Sequence, residues 1–290
     1  MKIATTIIDS YPYFETPAEV VRFYEGTGFR LLDYSFYTAM RNTHHFLEDE
    51  WKKYVVAAKN AADELGFSFV QAHAPNYNPL GGEDYDHKNG VLTMTRSIEA
   101  CGILGIKNTV THSGISMDYL YPGDRDAYFE ANRPFYRSLI PYMEEYGVNV
   151  LIENSCEVNM GGRYFPMTAE EMNAFITALG HPGFGACWDI GHAHIQKVNT
   201  HDELVTLGSN LKALHIHDND ARHDLHLHPF AGNFPYDDLM RGIIDSGFKG
   251  YFTFEVDSFK PPFAELKKEQ LKHLYLTGRR LLEKYDMYEY

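Results

Sequence analysis

Apolar residues along the chain fall into short, nearly continuous runs separated by longer stretches in which they recur at intervals of three and four, and the two patterns alternate from end to end. Runs of the first kind read as buried parallel strands, and the second spacing marks helices with one covered face. Eight strands are predicted, at Ile3–Ile8, Phe29–Tyr34, Phe67–His73, Lys107–His112, Val148–Asn154, Phe184–Asp189, Lys212–His217 and Gly250–Val256. Several follow a Gly suited to end the preceding helix. Between them lie the helical segments EDEWKKYVVAAKNAADELG, KNGVLTMTRSIEACGILG, AYFEANRPFYRSLIPYMEEYG, TAEEMNAFITALG and YDDLMRGIIDSG. In the first of these, Trp51, Tyr54, Val55, Ala58, Ala61, Ala62 and Leu65 share a face, as in a helix that covers a sheet.

Two helix starts are marked by chemistry as well as by pattern. Thr16-Pro17 places a capping hydroxyl before a first-turn proline, and Thr168 with Glu171 has capping-box spacing. The last segment, PPFAELKKEQLKHLYLTGRRLLEKYDMYEY, reads as a closing helix with a polar, aromatic tail. Eight strand–helix alternations in 290 residues without a linker fit an α/β protein built as one (β/α)8 TIM barrel, a single domain over residues 1–290. The rival is a doubly wound open sheet. No GxGxxG follows the first strand, and GxxxxGK[ST] and GxSxG do not occur, so neither a nucleotide cofactor nor a serine nucleophile is expected.

Charge narrows the partners. The chain has 26 basic and 40 acidic side chains, a formal charge of −14, which weighs against a nucleic-acid partner without excluding a local basic groove. No run of apolar residues is long enough to span a bilayer, and MKIATTIIDSYPYF lacks the features of a signal peptide, so no membrane association is expected. Cys101, Cys156 and Cys187 are an odd set without CxxC spacing, which favours a reduced, cytoplasmic setting.

The candidate chemistry sits where a barrel puts it, at the C-terminal ends of the strands. There the sequence carries His73 in QAHAP, His112 in VTHSG, Glu153 in LIENS, Asp189 and His192 in CWDIGH, His215 in LHIHDN and Glu255 in FEV, with Asp224 and His226 in the following RHDLHLHP. Carboxylates and imidazoles in this mixture suit Mn, Zn, Co or Fe better than calcium. A carboxylate at the tip of an otherwise apolar strand also needs a cation or donor to offset its desolvation. Arg163 and Arg222, in loops at the same end, are candidates to bind substrate, and Tyr34, Phe36, Trp188 and Phe259 are candidates for an apolar wall. His194, His217, His223 and His228 are weaker candidates for the centre.

Taken as an ordered set, these motifs resemble the xylose-isomerase-like TIM-barrel superfamily of sugar isomerases and epimerases, inosose dehydratases and endonuclease IV. In the isomerase and epimerase members, the resemblance implies one divalent metal held at Glu153, Asp189, His215 and Glu255. It further implies that Glu153 and Glu255 move a proton and that His192 contacts the substrate, while Arg222 resembles an arginine that often follows the strand-seven histidine. Endonuclease IV holds three zinc ions with nine ligands, and His73, His112, Glu153, Asp189, His192, His215, Asp224, His226 and Glu255 match all nine. More than one zinc is therefore open. The expectation is a divalent-metal-dependent isomerase or epimerase of a small sugar, sugar phosphate or polyol. The alternatives are an endonuclease IV-like zinc phosphodiesterase acting on abasic DNA, or a metal-dependent sugar or inosose dehydratase. A homo-oligomer is left open.

Overall fold

The computed structural model describes residues 1–289. Its strands are β1 (Ile3–Thr6), β2 (Leu31–Ser35), β3 (Ser68–His73), β4 (Asn108–Thr111), β5 (Asn149–Glu153), β6 (Phe184–Asp189), β7 (Leu211–His215) and β8 (Phe252–Phe254). The helices are α1 (Pro17–Phe23), α2 (Trp51–Leu65), α3 (His87–Leu104), α4 (Arg125–Tyr146), α5 (Glu157–Met160), α6 (Ala169–Leu179), α7 (Ile190–Gln196), α8 (Thr200–Leu207), α9 (Tyr236–Ser246) and α10 (Ala264–Lys284). The eight strands form one sheet in the order β7-β6-β5-β4-β3-β2-β1-β8, and the paired strands run parallel. A parallel bridge between Ile216 and Phe254 joins the two ends, so the sheet is a (β/α)8 barrel rather than the open rival.

Local chemistry sets the helix boundaries. Thr16 and Thr168 each cap a helix in a reciprocal capping box, with Glu19 and Glu171 respectively. Pro17 occupies the first turn of α1, where a missing amide proton costs nothing. Trp51, Val55, Ala58, Ala61 and Ala62 are the buried face of α2. The short helices α5, α7 and α8 lie in segments where the hydrophobic pattern is too brief to announce them.

Strand alternation divides the side chains between two environments. Outward residues such as Ile152, Trp188, Leu214, Phe252 and Phe254 join a large apolar layer beneath the helices. Inside the barrel the apolar cluster shrinks to Val110, Leu151, Cys187 and Ala213. Above and beside it the interior is polar: Asp33 accepts from Gln71 Nε2 at 2.8 Å, and Thr253 Oγ1 donates to Gln71 Oε1 at 3.4 Å. A buried ion pair between Asp9 and Lys267 ties the segment after β1 to α10, and Lys267 Nζ donates to the carbonyl of Phe259 at 3.1 Å. The three cysteines are free and buried. Among the described residues, no helix is long and apolar enough to cross a membrane.

Candidate metal centre

Parity puts the predicted polar residues at one mouth. Leu151 and Cys187 face inward, and two residues further along the same strands so do Glu153 and Asp189; Ala213 and His215 repeat the relation on β7. Register then aligns Asp189 with His215 and Glu153 with Cys187. The outcome is a group of ligand atoms from Glu153, Asp189, His215 and Glu255 that all lie within 4.8 Å of one another. His73, His112 and Glu153 form a second such group, and His192, Asp224 and His226 a third.

Glu153 is the hub. Its Oε1 lies 2.8 Å from His215 Nδ1, and its Oε2 lies 3.0 Å from His112 Nε2 and 3.4 Å from His73 Nε2. Glu255 Oε2 approaches the same His215 Nδ1 at 3.2 Å. His192 Nε2 and His226 Nε2 flank Asp224, at 3.1 and 3.3 Å. The loop that brings Asp224 and His226 back over the barrel is closed by paired backbone bonds between Asp218 and Leu227. Buried Asp218 holds it further by accepting from the amides of Phe230 and Phe234. His226 itself sits at φ 46°, a left-handed conformation that costs a non-glycine residue energy and is typical of functional loops.

The orientation of the rings tests whether a cation fits. His73, His192 and His226 each use Nδ1–H to donate to a carbonyl, of Ala74, Asn154 and Glu255 respectively, at 2.8–3.0 Å. That bond leaves Nε2 as a lone pair in the neutral ring, aimed at a carboxylate oxygen. A lone pair facing a carboxylate at 3.1–3.4 Å is repulsive unless a proton or a metal ion lies between them. The donor set and its locked tautomers therefore fit a divalent cation.

The electrostatics of the metal-free protein express the same demand. Burial alone would raise the Glu153 carboxyl, yet His215 and His112 hold it well below the usual carboxylate range. Burial likewise opposes ionisation of Asp189, but His192 and His217 bring its pKa down to about 2. Conversely, burial disfavours charged imidazoles, and the surrounding carboxylates overcome it: His192 is raised well above its ordinary value, and His226 to about 10, chiefly by its bond to Asp224.

The mouth opens into a cavity of about 490 Å³ whose polar floor includes His73, His112, Glu153, His192, Asp224 and Glu255. Tyr37, Tyr77 and Phe165 supply its aromatic walls. No Lys or Arg is among the described residues that line it.

Several expectations need correction. Trp188 is fully buried and stands on the outward parity of β6, against the helices, so it cannot form a substrate wall. Tyr34 and Phe36 are buried in the same layer, and Phe259 lies 44% exposed away from the cavity. Arg163 does not reach the cavity. Its guanidinium donates to the carbonyls of Met160 and Asn159, at 2.6 and 3.4 Å, and so braces the segment from which Asn159 Nδ2 donates to Asp224 at 2.9 Å. Arg222 lies exposed on the loop after β7 and lines no part of the cavity.

Other residues emerge that the pattern undervalued. His217, fully buried, bonds through Nε2 to both Asp189 oxygens at 3.1 and 3.0 Å and stacks on His226 with ring centroids 4.0 Å apart. A Cβ on Gly191 would lie 1.9 Å from the His217 ring, which explains the glycine in DIGH. Asn154 clamps the ends of β5 and β6 by accepting from the amide of Asp189 at 2.6 Å and donating to its carbonyl at 3.0 Å. Asp33 lies in the barrel interior with its carboxylate 4.0 Å from His215 Nε2, on the far side of that ring from Glu153.

Burial raises Asp33 from 3.8 to about 6, with His215 opposing the rise. The folded chain therefore holds this proton to higher pH than the unfolded chain does, and stability falls as pH rises from about 4 through 6. Asp33→Asn is expected to make the metal-free protein more stable at pH 8, by on the order of 1–3 kcal/mol, and to leave no difference at pH 4. It should also weaken metal binding by roughly 10- to 100-fold, through loss of the anion behind His215. Urea unfolding at the two pH values and a metal titration check both. A variant less stable at pH 8 would mean that Asp33 is held ionised by His215.

A parallel eight-stranded barrel with clustered carboxylates and imidazoles at its C-terminal mouth defines the general class. The chain belongs to the family described as xylose isomerase-like TIM barrel, whose model matches residues 23–277. An uncharacterized protein of Sinorhizobium fredii is 25% identical over 209 residues, covering 71% of this chain and 64% of that protein. Fructoselysine 3-epimerase of Escherichia coli O157:H7 is 30% identical over 127 residues, 41% of this chain and 42% of the enzyme. The solved structure of a D-tagatose 3-epimerase-like protein superposes with a TM-score of 0.74 at 20% identity, covering 98% of this chain and all of the other. That likeness is one of fold.

Proposed function

We propose that the protein is a divalent-metal-dependent epimerase or isomerase that moves a proton on a carbon beside the carbonyl of an open-chain ketose. The observation that carries this reading is the convergence of Glu153 and Glu255, from opposite parts of the sheet, on one nitrogen of His215 at 2.8 and 3.2 Å, on the floor of a polar cavity. The partial likeness to a fructoselysine 3-epimerase supports the same chemistry.

A cation held by Glu153, Asp189, His215 and Glu255 would supply Lewis-acid stabilisation of the negative charge that develops on the substrate oxygen as the C–H bond breaks. Glu255, with its side chain 17% exposed, is the carboxylate more open to the cavity and takes the proton. Glu153, only 2% exposed and surrounded by imidazoles, supplies or receives the proton on the other side. His192, its Nδ1 fixed on the Asn154 carbonyl, presents Nε2 to a substrate hydroxyl. Tyr37, Tyr77 and Phe165 exclude water around the reacting carbons.

The test joins metal analysis to isotope exchange. Protein purified without added metal or chelator is analysed for metal per chain, then incubated with a panel of ketoses in heavy water and followed by NMR. About one Mn, Co, Fe or Zn per chain and deuterium on a carbon next to the carbonyl are expected. A metal-loaded protein that introduces no deuterium into any ketose would overturn the reading.

A second reading, a zinc phosphodiesterase acting on abasic DNA, draws on the additional groups His73–His112–Glu153, His192–Asp224–His226 and His217–His226–Glu255. About three zinc ions per chain together with cleavage of abasic DNA would establish it. The lack of Lys and Arg along the described cavity wall counts against it, since grip on a phosphate backbone comes largely from those residues.

A further inference from the structure

A second cavity, of about 430 Å³, opens beside the first, and the two share Ile8, Tyr37 and Asp257 as a common wall. Each alone is in the size range of a small-molecule site, so together they hold more than a free six-carbon sugar. Their charges differ. The first has carboxylates and imidazoles but no Lys or Arg among its described lining residues, whereas the second has Arg41 and Lys260.

The charges of the second cavity nearly cancel, and the remainder is informative. Asp257 is paired with Lys260 at 3.4 Å, and Asp9 is paired with buried Lys267. Arg41 is left over: its guanidinium makes no hydrogen bond or ion pair among the described residues, and it is exposed. It stands four residues beyond Tyr37, whose ring packs edge-on against His73 at 5.1 Å and so marks the boundary with the carboxylate–imidazole centre. A single uncompensated guanidinium matches one negative charge, and its planar fork matches a carboxylate.

We infer that the second cavity is a subsite for the far end of the substrate, and that the substrate is a ketose carrying a carboxylate-bearing substituent, with the carboxylate on Arg41. This rests on the proposed ketose chemistry for the position of the sugar and extends it to the rest of the molecule. In this arrangement the uncharged polyhydroxy part faces Glu153 and Glu255, and the second cavity sets specificity.

Binding, not turnover, is the readout, so that the subsite and the chemistry can fail separately. The probes are the 1-deoxyfructosyl derivatives of glycine and of glycinamide, which have nearly the same size and differ by one negative charge. Isothermal titration of the metal-loaded full chain should show the glycine derivative binding roughly 10- to 100-fold more tightly. In Arg41→Ala that preference should vanish while the Kd of the glycinamide derivative is unchanged, and Arg41→Lys should restore part of it. Equal affinity for the two probes, binding of neither, or an equal loss for both in Arg41→Ala would overturn the inference. Tighter binding of fructose 6-phosphate than of the glycine derivative would also overturn it, because it would assign the site to a dianion. Arg41-dependent binding without isotope exchange in any ketose would leave the subsite standing and remove the proposed reaction; exchange without a carboxylate preference would do the reverse.

Discussion

Glu153→Gln is expected to lower proton exchange between a ketose and solvent by roughly 10²- to 10⁴-fold, and to lower the metal content of the purified protein as well. Glu153 is shared by two of the candidate ligand groups, with His73 and His112 on one side and Asp189, His215 and Glu255 on the other. An amide keeps the shape and still accepts hydrogen bonds, but it cannot take a proton, and it no longer offsets the positive charge of a cation or of the imidazoles that face it. Exchange followed by NMR and elemental analysis on the same preparation check the two effects, with circular dichroism to show that the barrel has formed. A folded variant with full metal and an unchanged exchange rate would take Glu153 out of the chemistry.

Removing the metal with a chelator is expected to lower the melting temperature by roughly 4–5 °C when the metal had been present at about 100 times its Kd, which corresponds to about 2.7 kcal/mol. The size of this drop should depend on pH. In the metal-free protein the raised pKa of His226, about 10, together with those of His192 and His215, keeps these rings charged and paired with carboxylates at neutral pH. Because their folded values lie above the unfolded value of about 6.5, these pairs stabilise fully below that pH. For His226 the contribution is lost as pH rises toward 10. Of these rings, His215 belongs to the proposed ligand set, so the cation must displace its proton and binds more tightly as pH rises. Calorimetry with and without chelator should therefore show a larger drop at pH 8.5 than at pH 6. Equal drops would mean that no imidazole proton is displaced and that His215 is not a ligand.

Reading the chain by pattern and reading it in three dimensions agree where the physics is local. Strand and helix alternation, the capping boxes at Thr16 and Thr168, and the polar tips of apolar strands depend on neighbours within a few residues, and all are visible in one dimension. Trp188 belonged to that legible part as well: it lies between Cys187 and Asp189, so if Asp189 faces the barrel interior, strand parity turns Trp188 outward. Its residue type makes it a candidate for an apolar wall, but strand parity decides where the side chain lies.

Arg163 and Arg222 illustrate a different gap. Their loops do run at the candidate end of the barrel, but the direction of a long flexible side chain is set by which carbonyls lie within reach, and for Arg163 those belong to Met160 and Asn159 of its own loop. Asp33 is the opposite case. In LLDYS it reads as one polar residue in a strand, and only closure of the sheet brings β2 across from β7 and sets this carboxylate behind His215. Arg41 and Asp9 likewise come from separate segments and meet only at the wall of the second cavity.

By itself, then, the sequence determined that strands and helices alternate to form a barrel and that carboxylates and imidazoles gather at the strand tips, because hydrophobic periodicity and desolvation act over a few residues. Tertiary structure alone decided which of those groups share an atom's worth of space, that Arg41 of the second cavity has no partner among the described residues, and where that cavity opens. Those are matters of long-range closure: residues more than a hundred positions apart, such as Glu153 and Glu255, meet at His215 only once all eight strands have joined.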